Sequence, residues 1–439
     1  NGMKSVLKTP APKGGGYAWY VAGLLSLTHL VSFLDRFIMG LVLVPVKQTF
    51  GLSDTQLGLL HGTGFVILYV VAALPLGRLA DTGNRRNLII GGIVFWSLAT
   101  AACGLAGSFG SLFAARIGVG LGEASLVPAA MSLLAAYFSR GKLGRAVGAF
   151  TMGASLGMSA AFIGGGAVLA LLAANGGLTL PFFGHLPPWK ALFLLTSIPG
   201  FLLAFLLLTV REPERENHGA ASKPGVMVAL RHIGRHDQAY GWHTAAAVAA
   251  ILLTQSFAAW TPTLFVRTYA MTPAEAGLTV GNVVLITAPL GHLFGGYLTD
   301  AFRRHGIDGA PSVVIGLMLA AGVLPALAFC TSHSLAVSII SLGLLKTCLS
   351  AASPAGLAGV QMLTPEPLRG VVSALFLAVI TLVAVGGGPT LIGIITDQIF
   401  KDEQALASSL LTATLIVACF GVIAAVLSRR PVKIAMAEL

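Results

Sequence analysis

Charge is what this 439-residue chain lacks most: Asp, Glu, Lys and Arg make up 10 % of it, against about 25 % in a typical soluble domain. So few charges cannot cover a water-facing surface, which excludes an ordinary soluble protein. Cysteine is scarce too. Cys103, Cys330, Cys348 and Cys419 fall in four separate apolar stretches without metal-like spacing. Neither a disulfide framework nor a zinc site is therefore expected, and such thiols pack as small hydrophobes. Catalytic signatures are also missing. There is no phosphate-cradling glycine loop and no nucleophile with a base beside it in sequence. An enzyme is not expected, nor direct drive by ATP, nor any cofactor or bound metal.

Apolar sequence takes the place of charge. Hydrophobic residues reach 56 % and mean hydropathy is +0.86. A bilayer crossing needs about 20 mostly apolar residues. Twelve stretches meet that need, near 17–46, 54–80, 87–107, 110–139, 144–173, 189–210, 239–270, 274–301, 311–331, 334–363, 368–399 and 404–428. The first is long, charged and followed by eleven others, so it reads as a span and not as a removable signal. The one sizeable polar insertion, 211–237, separates six spans from six. The expected organisation is a tail over 1–16, a six-span unit over 17–210, the linker 211–237, a second six-span unit over 238–429 and a tail over 430–439.

The net charge of +11 invites a polyanion-binding reading, but its distribution argues for orientation instead. With the N-terminus taken as cytoplasmic, twenty of the 27 Lys and Arg fall on the inner side. Only Lys47, Lys190, Arg267 and Lys401 fall outside, and Arg36, Arg116 and Lys346 lie within spans. That is the positive-inside bias. It predicts a multi-pass protein of the cell membrane, of bacterial inner-membrane type, with both termini cytoplasmic. The lipid bilayer, and no nucleic acid, is then its surrounding partner.

The two halves echo each other. Gly77-Arg-Leu-Ala-Asp81 with Arg85-Arg86 follows span 2, and Gly296-Tyr-Leu-Thr-Asp300 with Arg303-Arg304 follows span 8, the aspartates 219 residues apart. Leu143-Gly-Arg145 and Leu368-Arg369 repeat at an offset of 224 between the arginines. Two echoes at nearly one offset indicate a duplicated six-span unit, and such repeats place a transport site at their interface near mid-membrane. One duplicated chain carries a whole pathway, so a monomer is expected. A channel would show filter residues repeated around an oligomer instead.

An ionisable side chain inside a span costs roughly 2.5–3.5 kcal/mol on insertion scales, so each needs a reason. Asp35 and Arg36 stand roughly 27 Å along span 1, in the outer half of the bilayer, at 1.5 Å per residue. Span 4 runs the other way, which puts Arg116 in its outer part with Glu123 about two turns deeper on nearly the same face. These four are expected to form one cluster. A static salt-bridge set is one reading of it. In the other, Arg36 and Arg116 attract an anionic head group, because a guanidinium matches phosphate or carboxylate in two-point fashion. Asp35 or Glu123 would then carry the coupling proton, since burial favours the neutral carboxyl and a nearby arginine the anion. Lys346, deep in span 10, supplies the second half's counter-charge. Gln255, Trp260 and Asn282 are weaker candidates for substrate contact. His29, His61 and His292 are expected to bridge helices.

Asp81 and Asp300 fall at inner helix ends, where a carboxylate interacts favourably with a neighbouring helix N-terminus. Spans 5 and 11 begin nearby, near Leu143 and after Pro365-Glu-Pro367. Twelve spans in two similar halves, with a Gly-x-x-x-Asp…Arg-Arg cluster after span 2, resemble the major facilitator superfamily over essentially the whole chain. Thr82 and Asn84 depart from its commonest form, where Arg and Gly are frequent. Phe33-Leu-Asp35-Arg36-Phe37 and Arg116-Ile-Gly-Val-Gly-Leu-Gly122-Glu123-Ala-Ser125 are similar to its Spinster branch, as is Asn84 before Arg85.

The resemblance implies an all-α membrane fold of two six-helix bundles and secondary active transport by alternating access. It further implies a lysolipid or sphingoid phosphate as substrate. Organic-anion symporters share much of the pattern, so a proton-coupled carrier of sugar acids is the alternative. The resemblance also implies that Asp81 and Asp300 latch onto the starts of spans 5 and 11 to hold the inner gate shut. Arg85, Arg86, Arg145, Arg303, Arg304 and Arg369 would complete that latch.

Overall fold

The computed structural model describes residues 15–181, 183–213 and 226–438, with the backbone alone at 81, 140 and 141. The side chain of Asp81 therefore lies outside the described residues, as do Lys4, Lys8, Lys13, Arg215 and Lys223. Among the described residues, twelve helices are long and apolar enough to cross a membrane: spans 1 to 6 are Gly16–Leu41, Asp54–Ala80, Arg85–Leu105, Phe109–Tyr137, Lys142–Ala174 and Pro188–Leu207. Spans 7 to 12 are Asp237–Tyr269, Pro273–Arg304, Ala310–Thr331, Leu335–Met362, Glu366–Phe400 and Glu403–Ala437. The shortest has 20 residues, about 30 Å of helix, which covers the hydrocarbon core. An even number of crossings returns the chain to the face on which it began. We call that the terminal face, and the other the far face.

Local sequence sets where several crossings start. Spans 2, 4 and 8 open at the far face on capping boxes, Ser53 with Gln56, Ser108 with Ser111 and Thr272 with Glu275. In each, the two side chains satisfy otherwise orphaned backbone donors. Pro273 follows its cap at the first helical position, where its missing N–H costs nothing.

Three features depart from the sequence reading. The linker holds a ten-residue helix, Val226–Arg235, immediately before span 7. The last helix runs on to Ala437, through what was expected to be a tail, because Val432 and Ala435 lie three apart and are both buried. Between spans 5 and 6, Leu178–Leu180 and Gly184–Leu186 pair as a short antiparallel hairpin, with Leu178 opposite Leu186.

The halves meet on the far side. A Cβ added at Gly58 would lie 2.6 Å from the Pro389 carbonyl oxygen, and one at Gly62 would lie 2.5 Å from that of Gly386. One at Gly393 would lie 2.3 Å from the Asp54 carbonyl. Spans 2 and 11 thus touch backbone to backbone, an approach only glycine permits. Gly40 faces Ala259 across spans 1 and 7, and Gly166 faces Ala274 across spans 5 and 8. The glycine run 386–388 lies between two π-helical stretches, Ile380–Val385 and Ile395–Phe400; Gly386 meets Val66 of span 2, and Gly388 the Leu252 carbonyl of span 7. Toward the terminal face no such approach occurs: a Cβ added at Gly144 or Gly148 of span 5, Gly296 of span 8 or Gly370 of span 11 would meet nothing within 4 Å. The structure is therefore closed at the far face and open toward the terminal face.

Gly62→Val tests that seam. The added carbons meet backbone and not a movable side chain, so far-face closure is expected to be lost while each six-helix unit still folds. Cysteine labelling at far-face positions should rise several-fold; unchanged labelling would show that the glycine contact does not hold the seam.

Candidate functional site

The expected four-residue cluster forms, but it divides into two parts. Asp35, Arg116 and Glu123 are each 1 % exposed, whereas the Arg36 side chain keeps 12 %. Arg36 and Glu123 form its ion pair. The Arg36 Nη2 donates to Glu123 Oε2 at 2.9 Å, and the Ser32 hydroxyl donates to the same oxygen at 2.7 Å. Residues 32 and 36 lie four apart on span 1, which puts both on one face. Aromatic rings surround the guanidinium, Phe65 at 4.2 Å, Phe33 at 4.5 Å and Tyr69 at 5.7 Å. Such faces stabilise a cation where water is thin.

Span 4 is interrupted at this point. Its first helical stretch ends at Glu123 and the second starts at Leu126. The Ser125 hydroxyl donates to the Gly122 carbonyl at 2.9 Å, inside the turn. Breaks of this kind in spans are tolerated where protein or a cavity takes up the freed backbone groups.

The second part is structural in this conformation. Arg116 donates to main-chain carbonyls only, those of Leu60 at 3.2 Å, Asp35 at 3.3 Å and Arg36 at 3.4 Å. It ties spans 1, 2 and 4 together. Asp35 accepts one long bond, from the Thr100 hydroxyl at 3.4 Å. Four buried polar atoms around the cluster have no hydrogen-bond partner: Asp35 Oδ1, Glu123 Oε1, Arg36 Nε and His61 Nδ1. Buried polar groups are almost always satisfied, so these positions are open to a proton, water or substrate.

Lys346 is also buried, and its Nζ has no partner. His29 makes the expected helix-to-helix bond, Nδ1 lying 3.0 Å from the Phe150 carbonyl, with the rings stacked at 4.2 Å. Trp260 is sealed, and its indole donates to the Pro389 carbonyl at 2.9 Å. It braces span 7 on span 11 and does not face a solute here. Gln255 is half-buried, whereas Asn282 is exposed.

At the terminal face, several arginines find partners within their own half. Arg85 Nε meets Glu212 Oε1 at 2.6 Å, and the other Glu212 oxygen accepts from the Arg86 backbone N–H at 3.0 Å. Glu212, absent from the sequence candidates, thus caps span 3 from the exit of span 6. The Arg369 Nε donates to the Gln361 and Thr364 carbonyls at 3.1 Å each, closing the end of span 10. Among the described residues, no ion pair joins Arg145, Asp300, Arg303, Arg304 or Arg369 to the opposite half, as the open seam requires.

The cross-half lock lies at the far face and is built by Lys47 and Arg267, expected only as outer-side charges, with Asp54, Asp397 and Glu403. Asp54 is fully buried. Arg267 of span 7 grips it twice, Nη1 to Oδ2 at 2.6 Å and Nη2 to Oδ1 at 2.7 Å, and Lys47 adds a third bond at 2.8 Å. Lys47 also pairs with Glu403, and Arg267 donates to the Glu403 carbonyl at 2.9 Å. Asp397 of span 11 takes the Thr55 backbone N–H at 2.6 Å and its hydroxyl at 2.7 Å. A carboxylate on a helix start is the arrangement expected at Asp81 and Asp300, here realised at the opposite end of the molecule. Asp54 and Asp397 gave one signal in sequence: each carboxylate sits at a span end with no repeat partner in the other half.

Residues 25–388 match the family model of the Major Facilitator Superfamily. An MFS-type efflux pump of Mycolicibacterium smegmatis is 27 % identical over 93 % of this chain and 91 % of its own length. Protein spinster homolog 1 of Rattus norvegicus is 27 % identical over 88 % of this chain and 74 % of its own length. The sphingosine-1-phosphate transporter SPNS2 of Danio rerio is 26 % identical over 88 % and 77 % respectively. A solved bacterial homologue of the human lysosomal transporter Spinster, inward-facing and unoccupied, shares the fold with a TM-score of 0.81 over 96 % of this chain and 98 % of that one, at 24 % identity. With residues 25–388 matching its model and twelve spans in the fold, this chain belongs to the major facilitator superfamily, and among the relatives above it is similar to Spinster proteins.

Proposed function

We propose that this protein is a proton-coupled carrier of an amphipathic anion, with Arg36 and Glu123 as the coupled pair. The observation that carries this reading is the pair itself: a buried carboxylate neutralising a cation in an aromatic wall, with one carboxyl oxygen unpartnered. A proton on Glu123 frees Arg36. An anionic head group then takes its place, and the net charge of the site is the same before and after. Asp35 is the second candidate for the proton. Arg116 orders the wall behind, and Lys346 offers a further positive charge from the second half.

A lysolipid or sphingoid phosphate fits the reading best, because Phe33, Phe65 and Tyr69 set an apolar wall directly beside the Arg36 head-group position. The sphingosine-1-phosphate transporter among the relatives supports that substrate class. In the cycle, the far lock opens as a terminal-face latch of Asp81 and Asp300 with the surrounding arginines closes. The excess of Lys and Arg on the terminal face argues that this face is cytoplasmic in the cell membrane.

The test is uptake into liposomes under an imposed pH gradient, with a labelled lysophospholipid, a sphingoid phosphate and a sugar acid side by side. Gradient-dependent uptake of the lipids and not of the sugar acid is expected. Sugar-acid uptake alone would move the protein to the organic-anion symporters, and uptake indifferent to the gradient would remove the proton from the mechanism.

A further inference from the structure

On the outer wall of the first half, away from the seam, spans 2 and 3 splay apart and leave an apolar groove of about 510 Å³. Leu76 and Leu79 line one side, Leu88 and Phe95 the other, and Gly122 and Ser125 of span 4 form the floor. Leu79, Phe95 and the neighbouring Leu98 are exposed on this wall, where the bilayer surrounds the spans. From Asn87 to Phe95 the groove follows span 3 for about 12 Å at 1.5 Å per residue. That approaches the depth of one leaflet, about 15 Å of a hydrocarbon core near 30 Å. Gly91 keeps it hollow, since a Cβ there would meet nothing within 4 Å.

The terminal-face end of the groove is polar and cationic. Asn84 and Asn87 lie on its rim. The Asn87 side-chain oxygen accepts from Arg86 Nε at 3.0 Å and Nη2 at 2.9 Å, and Arg86 Nη1 donates to the Val210 carbonyl at 3.1 Å. Those bonds use three of the five guanidinium N–H groups and leave two for a phosphate. An apolar slot one leaflet deep, with a fixed arginine at the head-group level, has the chemistry of a lipid site.

From this geometry we propose that the groove binds one acyl chain of a two-chain anionic phospholipid from the terminal-face leaflet, its phosphate held by Arg86. The site is separate from the Arg36–Glu123 pair, with span 4 between them. Its floor is the interrupted stretch of span 4 that carries Glu123, so an occupied groove braces that break from behind. The proposal is independent of which solute the protein carries.

Native mass spectrometry of the purified protein, titrated with phosphatidylglycerol and with phosphatidylcholine of the same chains, tests it. One phosphatidylglycerol is expected to be retained at least tenfold more tightly than phosphatidylcholine. Gly91→Leu, which fills the groove without meeting backbone, should lose that one lipid. Arg86→Gln should bind the two lipids equally. Equal retention by wild type and Gly91→Leu would overturn the proposal, as would tighter binding of a lysophospholipid, which would make the groove a substrate path. Should Gly91→Leu not fold, a bimane at Leu79→Cys in a cysteine-free background gives the same answer. Saturable quenching by phosphatidylglycerol spin-labelled along its chain is expected, and quenching that only follows bulk lipid would overturn it.

Discussion

Replacing Arg267 by alanine is expected to unlock the far face and leave the protein open on the wrong side for most of its cycle. Asp54 has no exposure to water, and two of its three ionic contacts come from Arg267. Removing one partner of a buried ion pair costs about 3–5 kcal/mol, because the other charge stays desolvated. Lys47 still reaches Asp54, so the lower end of that range applies. The cost falls on the far-closed state alone. Once the halves part, Asp54 meets water whether or not Arg267 is present. At 1.36 kcal/mol per tenfold, the equilibrium should move toward far-open by about two orders of magnitude.

Spin labels at Gly107→Cys and His333→Cys report this directly, since both positions are exposed in far-face loops of opposite halves. Their separation should lengthen in Arg267→Ala, with uptake at least tenfold slower. Arg267→Lys should lie between, keeping the charge but losing the two-point grip. An unchanged distance distribution in Arg267→Ala would remove the lock from the mechanism.

The contrast between this lock and the span 1–span 4 pair shows what the sequence can carry. Span count, the division into halves and the clustering of Asp35, Arg36, Arg116 and Glu123 follow from hydropathy and helical spacing, which act locally. Within the cluster, spacing could not say which arginine meets which carboxylate. Residues 35 and 36 point about 100° apart on a helix, so one faces the aromatic wall and the other the span 3 side. Arg116 then finds carbonyls instead of a carboxylate, because the backbone of span 1 is what lies within its reach. Asp54 and Arg267 stand 213 residues apart in the chain, with no motif linking them. Only the docking of the two halves brings them together, and that docking depends on bare glycine backbones at 58, 62 and 393. The lock was illegible because it exists only where the two assembled halves close on the far face, and no local spacing records that docking.

Glu123→Gln is expected to abolish pH-driven uptake while substrate still binds. Glutamine keeps the length and shape of the side chain, and its amide oxygen still accepts from Ser32 and Arg36, which now reach Glu123 at 2.7 and 2.9 Å. What it loses is the site where a proton adds and the negative charge that neutralises Arg36. Net uptake against a gradient should fall about 100-fold or more, the range over which a positioned proton-transfer group matters in catalysis. Exchange of labelled for unlabelled substrate needs no net proton movement and should continue. Binding should hold or tighten, because Arg36 no longer has a resident anion to leave. Arg36→Ala reverses the pattern, with binding lost first and exchange with it. Uptake that still tracks the pH gradient in Glu123→Gln would shift the coupling proton to Asp35, the other buried carboxyl of the cluster with an unpartnered oxygen. In that case Glu123 is left as the counter-charge that holds Arg36 between turnovers.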